Sequence, residues 1–396
     1  MNSLRQKIEQ EIRRSGPIPF SRYMELCLYD PELGYYSRNA QQFGKGGDFY
    51  TSSDVHKVFG RLLARQFDEM WRVLGSPEKI ELIELGPGRG LFAQDVLDWS
   101  EKKFPEFFRA LRYVLVENSP ALRQRIKETL AHHLESGKAV CEVEAFGGEE
   151  TGKGTTSVVP NQGPNERALA PEASTIIFAN EFFDALPVEV LGAKGSLRVD
   201  ARDGRFIETW ATPSTEELEF LDRYSIHPEP EERIEAPLAA QQYMNRIAAR
   251  IQRGFLIAID YGYTREEQLA GRHRGTLKAL RQHSISANPY EAPGEQDITA
   301  DVNFTALAAA AEKHGMQTRK LITQSQFLMG IGEANQFADA FEDCRLPQER
   351  AKVALQLKHL VTPAGMGESF HVLIASKGVE REKTGSLSGL SFGRKG

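Results

Sequence analysis

Three glycines crowd one turn in the run Glu84-Leu85-Gly86-Pro87-Gly88-Arg89-Gly90, between an apolar strand candidate and the start of a helix. Bare α-carbons there let a ligand come up against the backbone, where a side chain would occupy its space. Dinucleotide enzymes prefer Gly-x-Gly-x-x-Gly, whose third glycine allows close helix packing beneath a pyrophosphate. The shorter Gly-x-Gly-x-Gly spacing here suits a ligand without one, although Arg89 leaves phosphate open. Alone, such a turn is a weak signal. Glu117 strengthens it, because a carboxylate ending the second strand can accept hydrogen bonds from both hydroxyls of a ribose. Its competing role is to cap the next helix, for which Ser119 is better placed. Glu84 either faces the far end of the ligand or is a solvated strand residue.

A second constellation, Asn180-Glu181-Phe182-Phe183-Asp184-Ala185-Leu186-Pro187, follows the fourth apolar run. In a doubly wound sheet that strand lies beside the first, across the crevice where ligands bind. Methyltransferases acting on planar nitrogens carry an Asn/Asp-Pro-Pro-aromatic element at this place. The expected ligand is therefore S-adenosylmethionine, bound by Glu84, Gly86, Gly88, Gly90, Glu117 and Asn118, with Asn180, Glu181 and Asp184 catalytic. Methyl transfer is an in-line displacement that mainly asks for alignment and exclusion of water. Glu181 and Asp184 could grip a guanidinium through paired charge-assisted hydrogen bonds, or merely cap a helix start. Asp260-Tyr261-Gly262 ends a fifth strand at the same edge, where a ligand contact and a structural role are both open. His56 and His283 lack a second ligand at metal spacing, so no metal is expected.

The elements that must position these groups can be read from periodicity. KIELIELG, LRYVLVE, AVCEVEA, STIIFAN and GFLIAID are short apolar runs separated by crossover-length segments, the pattern of a parallel sheet covered on both faces. Late runs at 317–323 and 368–376 would add two strands, giving a seven-stranded, mostly parallel, Rossmann-like α/β sheet of the class I methyltransferase kind. Amphipathic spacing predicts helices over about 3–15, ended by Gly16-Pro17, from Ser21, and over 54–74. The run 29–51 reads as an ordered loop over the site, and 146–172 as a surface insertion. Asp203-Gly204 signals a hairpin. The expected division is a covering segment over 1–75, a core over 76–187 and 250–376, an accessory insertion over 188–249, and a flexible tail over 377–396.

Composition narrows the partners. With 49 Lys and Arg against 55 Asp and Glu, the net charge is −6, and no basic block offers a nucleic-acid arm. The three cysteines, Cys27, Cys141 and Cys344, form no Cys-x-x-Cys pair, so neither zinc nor a disulfide framework is indicated. No apolar run approaches a membrane span, and the N-terminal residues lack secretory or transit character, so a cytoplasmic location is expected.

Several separate runs resemble the MidA family: GPIPFSRYMELCLYDPELGYY, GGDFYTSSDV, ELGPGRG, VENSPALR, ANEFFDALP, IDYGY and PGEQDITADVNF, in this order and spanning about Ser15 to Ser376. The resemblance implies an S-adenosylmethionine-dependent methyltransferase whose glycine turn and strand-end acid, matching Gly86, Gly88, Gly90 and Glu117, hold the cofactor. It further implies a protein arginine acceptor, since mitochondrial members dimethylate an arginine of a respiratory complex I subunit and assist its assembly. Expected partners are an arginine-bearing protein and a second copy of the chain. The family usually reads Asp-Ile-Thr-Ala-His-Val-Asp-Phe where this chain has Asp301 and Asn303, and a basic residue and glutamine where it has Val188-Glu189-Val190. Competing readings are a small-molecule O- or N-methyltransferase, a catalytically silent assembly chaperone of the same fold, and, against the glycine spacing, a nicotinamide dehydrogenase.

Overall fold

A strand buried on both faces needs apolar side chains pointing both ways, and the short runs supply them. The computed structural model describes residues 3–38, 57–143, 174–281, 284–286, 288–363 and 365–392. In it the runs pair in parallel as β1 (Ile80–Leu85), β2 (Leu111–Val116), β3 (Ala139–Glu142), β4 (Ser174–Asn180) and β5 (Gly254–Tyr263). Their order across the sheet is β3-β2-β1-β4-β5. Beyond β5, β6 (Phe370–Lys377) runs antiparallel and pairs with Gln317–Thr318 and Ile322–Thr323. The sheet so described has nine strands where seven were expected. The late 317–323 run is broken into two pieces, and Val302–Asn303 adds a short parallel pair at the end of β5.

Each face of this large central sheet has its own cover. Ile80, Leu82, Tyr113, Leu115 and Phe178 meet Phe59, Leu63 and Phe67 of helix Lys57–Val73 and Phe92 and Val96 of helix Leu91–Lys103. On the opposite face Ile83, Leu85, Val114, Ile177 and Leu256 meet Met244 and Ile247 of helix Leu238–Arg250 and Leu307 of helix Phe304–Lys313. Full burial of each such side chain contributes about 1.5–3 kcal/mol, which ties every strand to one register. Helix Leu238–Arg250 was expected within the 188–249 insertion, but its apolar stripe lies under the central sheet.

A second, antiparallel sheet joins Ile18–Pro19, Glu189–Gly192, Gly195–Arg202, Arg205–Ala211 and Arg233–Ala236. Its hairpin turns at Asp203 and Gly204, with φ of 50° and 70°, the backbone of a two-residue type I′ loop. The N-terminal helices Leu4–Ser15 and Phe20–Tyr29 belong to this lobe, because Ile8, Ile12, Tyr23 and Met24 pack with Val190, Leu197 and Val199.

The C-terminal residues up to 392 are docked, where a frayed tail was expected. Leu387 and Leu390 are buried, and the amides of Ser388 and Gly389 donate to Glu69 and Gln66 at 2.9 Å. Two leucines in a glycine- and serine-rich context were enough to anchor it. The 146–172 insertion, the 29–51 loop from residue 39 onward, His56 and His283 lie outside the described residues. No helix among the described residues is long and apolar enough to cross a membrane.

Asn303 shows what one departure from the family pattern does. Its Oδ1 accepts from the Ala306 amide at 3.0 Å, capping helix Phe304–Lys313, while Nδ2 donates to the Tyr224 carbonyl at 2.8 Å. Asn303→Ala removes a cap and leaves a buried carbonyl unpaired. Urea titration should show unfolding free energy lowered by about 1–3 kcal/mol; a loss below about 0.5 kcal/mol would mean the cap contributes nothing.

Candidate active site

The register of the parallel strands decides which residues meet. Leu85 pairs with Val116 on one side and Ala179 on the other, and Asn180 pairs with Ile259. Gly86, Glu117, Asn180 and Asp260 therefore emerge along a single rim, at the point between β1 and β4 where the crossovers diverge. The ladder continues past the strand ends, with the Gly86 amide on the Val116 carbonyl at 3.1 Å and the Glu181 amide on Ile259 at 2.9 Å.

In the glycine turn, Gly86, Gly88 and Gly90 all have left-handed φ, at 63°, 55° and 77°. A Cβ on Gly86 would come within 3.0 Å of the Phe182 ring, whereas one on Gly88 would meet nothing within 4 Å among the described residues. Glu117 lies against this turn. Its Oε1 accepts from the Ser119 amide at 2.8 Å, and burial pushes its carboxyl up to about 7, opposed by the amides of Ser119, Asn118 and Gly88 and by Arg123. Ser119 also caps helix Pro120–Thr129, as expected, and its hydroxyl donates to the Tyr36 carbonyl at 3.0 Å. Glu84 is no solvated strand residue. It is buried on the same face as Glu117, accepts the Tyr113 hydroxyl at 2.8 Å, and is pushed by burial to about 8. Asn118 is exposed at the rim, where its carbonyl accepts from Arg123 at 2.7 Å.

Across the crevice, the Asn180 amide nitrogen donates to Glu181 at 3.0 Å, while its Oδ1 is buried without a hydrogen-bond partner among the described residues. Asp184 is buried, and its carbonyl accepts from the Ala300 amide at 3.0 Å. Burial raises its proton affinity well above the ordinary carboxylate range, and the charges of Asp260, Glu181, Asp297 and Asp301 push the same way.

The N-terminal lobe closes over both halves. Tyr29 donates to the Ala185 carbonyl at 2.9 Å, and Tyr36 donates to Asp297 Oδ1 at 3.0 Å. The charges of Asp297, Asp184 and Glu117, with burial the larger cause, all raise the proton affinity of the Tyr29 phenol, so the proposed ribose acid and the acidic group across the crevice both lie within its electrostatic reach. Thus Glu84, Gly86, Gly88, Glu117, Asn180, Glu181 and Asp184 lie along one rim, with Asn118 at their margin, whereas a Cβ on Gly90 would meet Leu130 and Ile126 at 3.3 and 3.4 Å, so that glycine serves packing. Asp297 was missed by sequence reasoning. It sat in the PGEQDITADVNF run, whose only visible signal was the family resemblance. The cradle fits an adenosyl ligand: open space above Gly88, a carboxylate beside it, and an unsatisfied acceptor at Asn180. No cluster of metal-ligating side chains occurs among the described residues.

Known proteins share this frame. The model of a family of S-adenosyl-L-methionine-dependent methyltransferases matches residues 62–322. The mitochondrial protein arginine methyltransferase NDUFAF7 of Danio rerio is 30% identical, covering 96% of this chain and 89% of that protein. Its homolog in Drosophila melanogaster is 29% identical, with coverages of 95% and 85%. A Burkholderia thailandensis protein solved bound to S-adenosyl-homocysteine superposes with a TM-score of 0.78 at 27% identity, covering 98% of this chain and 94% of that one.

Gathering buried acids has a measurable consequence for the ligand-free protein. Glu84, at about 8, and Glu117, at about 7, bind protons more tightly folded than unfolded. Stability is thus greatest with these groups protonated and is lost as pH rises through 7 to 8. Half-buried His371, whose proton affinity burial lowers, acts the opposite way below about 6.5. Thermal melts should show the midpoint rising as pH falls from about 8.5 to about 6.5; a midpoint that falls over this window contradicts the assignment.

Proposed function

Because the chain belongs to this family of S-adenosyl-L-methionine-dependent methyltransferases, we propose that it methylates an arginine nitrogen of a protein. In this reading Gly86, Gly88, Gly90, Glu84, Glu117 and Asn118 hold the cofactor. Glu117 accepts the ribose hydroxyls, and the open space over Gly88 receives the adenosyl group. S-adenosylmethionine supplies an activated methyl group on its sulfonium when bound. Asn180, Glu181 and Asp184 receive the acceptor.

One observation carries the arginine assignment: Asp184 and Asp260 are buried where desolvation and the neighbouring Glu181 disfavour their charges, and Asp297 adds to the repulsion at Asp184. A guanidinium entering that space offsets the repulsion and offers five N–H donors in a planar fork. Gripped by Glu181 and Asp184, it presents a nitrogen in line with the methyl group, under Tyr29 and Tyr36, which exclude water. The names of the relatives support this acceptor. The lobe of the second sheet, the accessory insertion of the sequence reading, contributes acceptor recognition; a respiratory complex I subunit is the candidate substrate, the cytoplasm the site of action, and a homodimer the working form.

Purified protein incubated with labelled S-adenosylmethionine and a cell lysate should place label on arginine of a protein band. Label confined to small molecules, or to oxygen, would overturn the reading. Glu181→Gln and Asp184→Asn should each lower transfer by about 10–100-fold, the worth of one charge-assisted hydrogen bond, with cofactor affinity little changed. Gly88→Ala instead should weaken cofactor binding by at least about tenfold in calorimetry, since its methyl group enters the cradle at a left-handed φ. Affinity should also fall as pH drops below about 7, where Glu117 gains a proton and loses an acceptor site; affinity independent of pH would separate Glu117 from the ribose.

A further inference from the structure

Asp260, 1% exposed, lies within β5, level with the end of β4. Its Oδ2 atom accepts from three consecutive amides of the turn after β4: Phe182 at 3.2 Å, Phe183 at 2.9 Å and Asp184 at 3.3 Å. Its Oδ1 atom accepts from the Tyr261 amide at 2.9 Å. Both oxygens are thus engaged by backbone, and at 1% exposure the carboxylate is turned to the protein interior.

We propose that Asp260 is a positioning residue for methyl transfer, which sets where Glu181 and Asp184 present their carboxylates by gathering the backbone between them. The proposal rests on reading that turn as the acceptor site. Two further observations point the same way. Glu181 has φ of 51°, a left-handed conformation that a residue with a side chain holds only when its surroundings over-determine it. Its own amide is tied to Ile259 at 2.9 Å, and the next three amides are tied to Asp260, so the turn is pinned at four successive residues. The anchor is also a poor choice for stability alone. Burial disfavours its charge, and the neighbouring Glu181 repels it, although four N–H groups oppose both effects. A carboxylate kept at that expense, in contact with the backbone of the acceptor turn, belongs to the shaping of the site.

The test compares full-length wild type, Asp260→Asn and Asp260→Glu on the protein acceptor labelled by the wild type. The first variant removes the charge and one acceptor oxygen. The second keeps the charge and displaces it by one methylene. Either folded variant should bind S-adenosyl-homocysteine within about threefold of wild type, yet lose at least about 30-fold in kcat/KM, divided between a raised acceptor KM and a lowered kcat. A residue serving stability alone would move the melting midpoint and neither kinetic constant. A folded variant with kcat/KM within about threefold of wild type overturns the proposal, as does failure of both variants to fold, which would make the role purely structural. Should the wild type label something other than arginine, the arginine reading fails, while the same variants on that acceptor still decide the role of Asp260.

Discussion

The shared register of four parallel strands, β1, β2, β4 and β5, is the constraint on which the site depends. A slip of one residue in β2 against β1 would turn Glu117 to the opposite face and carry Tyr113 and Leu115 away from the helices that bury them. Core and site therefore share a register. The apolar side chains on both faces supply the free energy that enforces it, and the polar residues just past the strand ends inherit their positions without separate support. Hydrogen bonds of Tyr29 to Ala185, of Tyr36 to Asp297 and of Ser119 to Tyr36 then hold the N-terminal lobe over the rim, so that closure comes from a part of the chain distant in sequence.

Electrostatics works against this arrangement. Glu84, Glu117, Asp184 and Asp260 are all buried, and burial raises the proton affinity of each. Backbone amides compensate in part: Glu117 and Asp260 are both held by several N–H groups, whereas the Asp184 side chain sits among like charges. The residue with least compensation is the one assigned to the acceptor. An enzyme that must bind a cation and release a product of the same charge benefits from carboxylates whose neighbours are already unfavourable, because the entering cation relieves the repulsion while the pocket itself needs no rearrangement.

Much of the fold was legible because burial on two faces writes itself into the chain as unbroken apolar runs: β4 and the start of β5 coincide with STIIFAN and GFLIAID. The glycine turn and Glu117 were legible for a related reason, since a residue just past a strand has its direction set by the strand. Asp260 was visible as a strand-end acid, but its bonds to Phe182, Phe183 and Asp184 join segments 76 to 78 residues apart, and no spacing announces a side chain serving a neighbouring strand's backbone. The 188–249 bounds of the accessory insertion took in helix Leu238–Arg250, since nothing in the chain states against what such a helix is buried. The docked C-terminal residues failed for the opposite reason, since composition outvoted two leucines.

Two of the departures from the resembled pattern, Asn303 and Asp301, bear on the site differently. Asn303 keeps the helix cap that an aspartate would make and adds a donor to Tyr224, so its effect is local. Asp301, standing at a histidine position, introduces a negative charge within the field of Asp184. Lys278 meets Asp301 Oδ1 at 2.9 Å, and His273 approaches Oδ2 at 3.2 Å. A carboxylate paired with a lysine presents little net charge beyond a few ångströms, which agrees with Asp301 being the weakest of the four acids acting on Asp184. Lys278 and His273 thus offset the charge of Asp301 locally, while burial, Asp260, Glu181 and Asp297 act on Asp184 more strongly than Asp301 does.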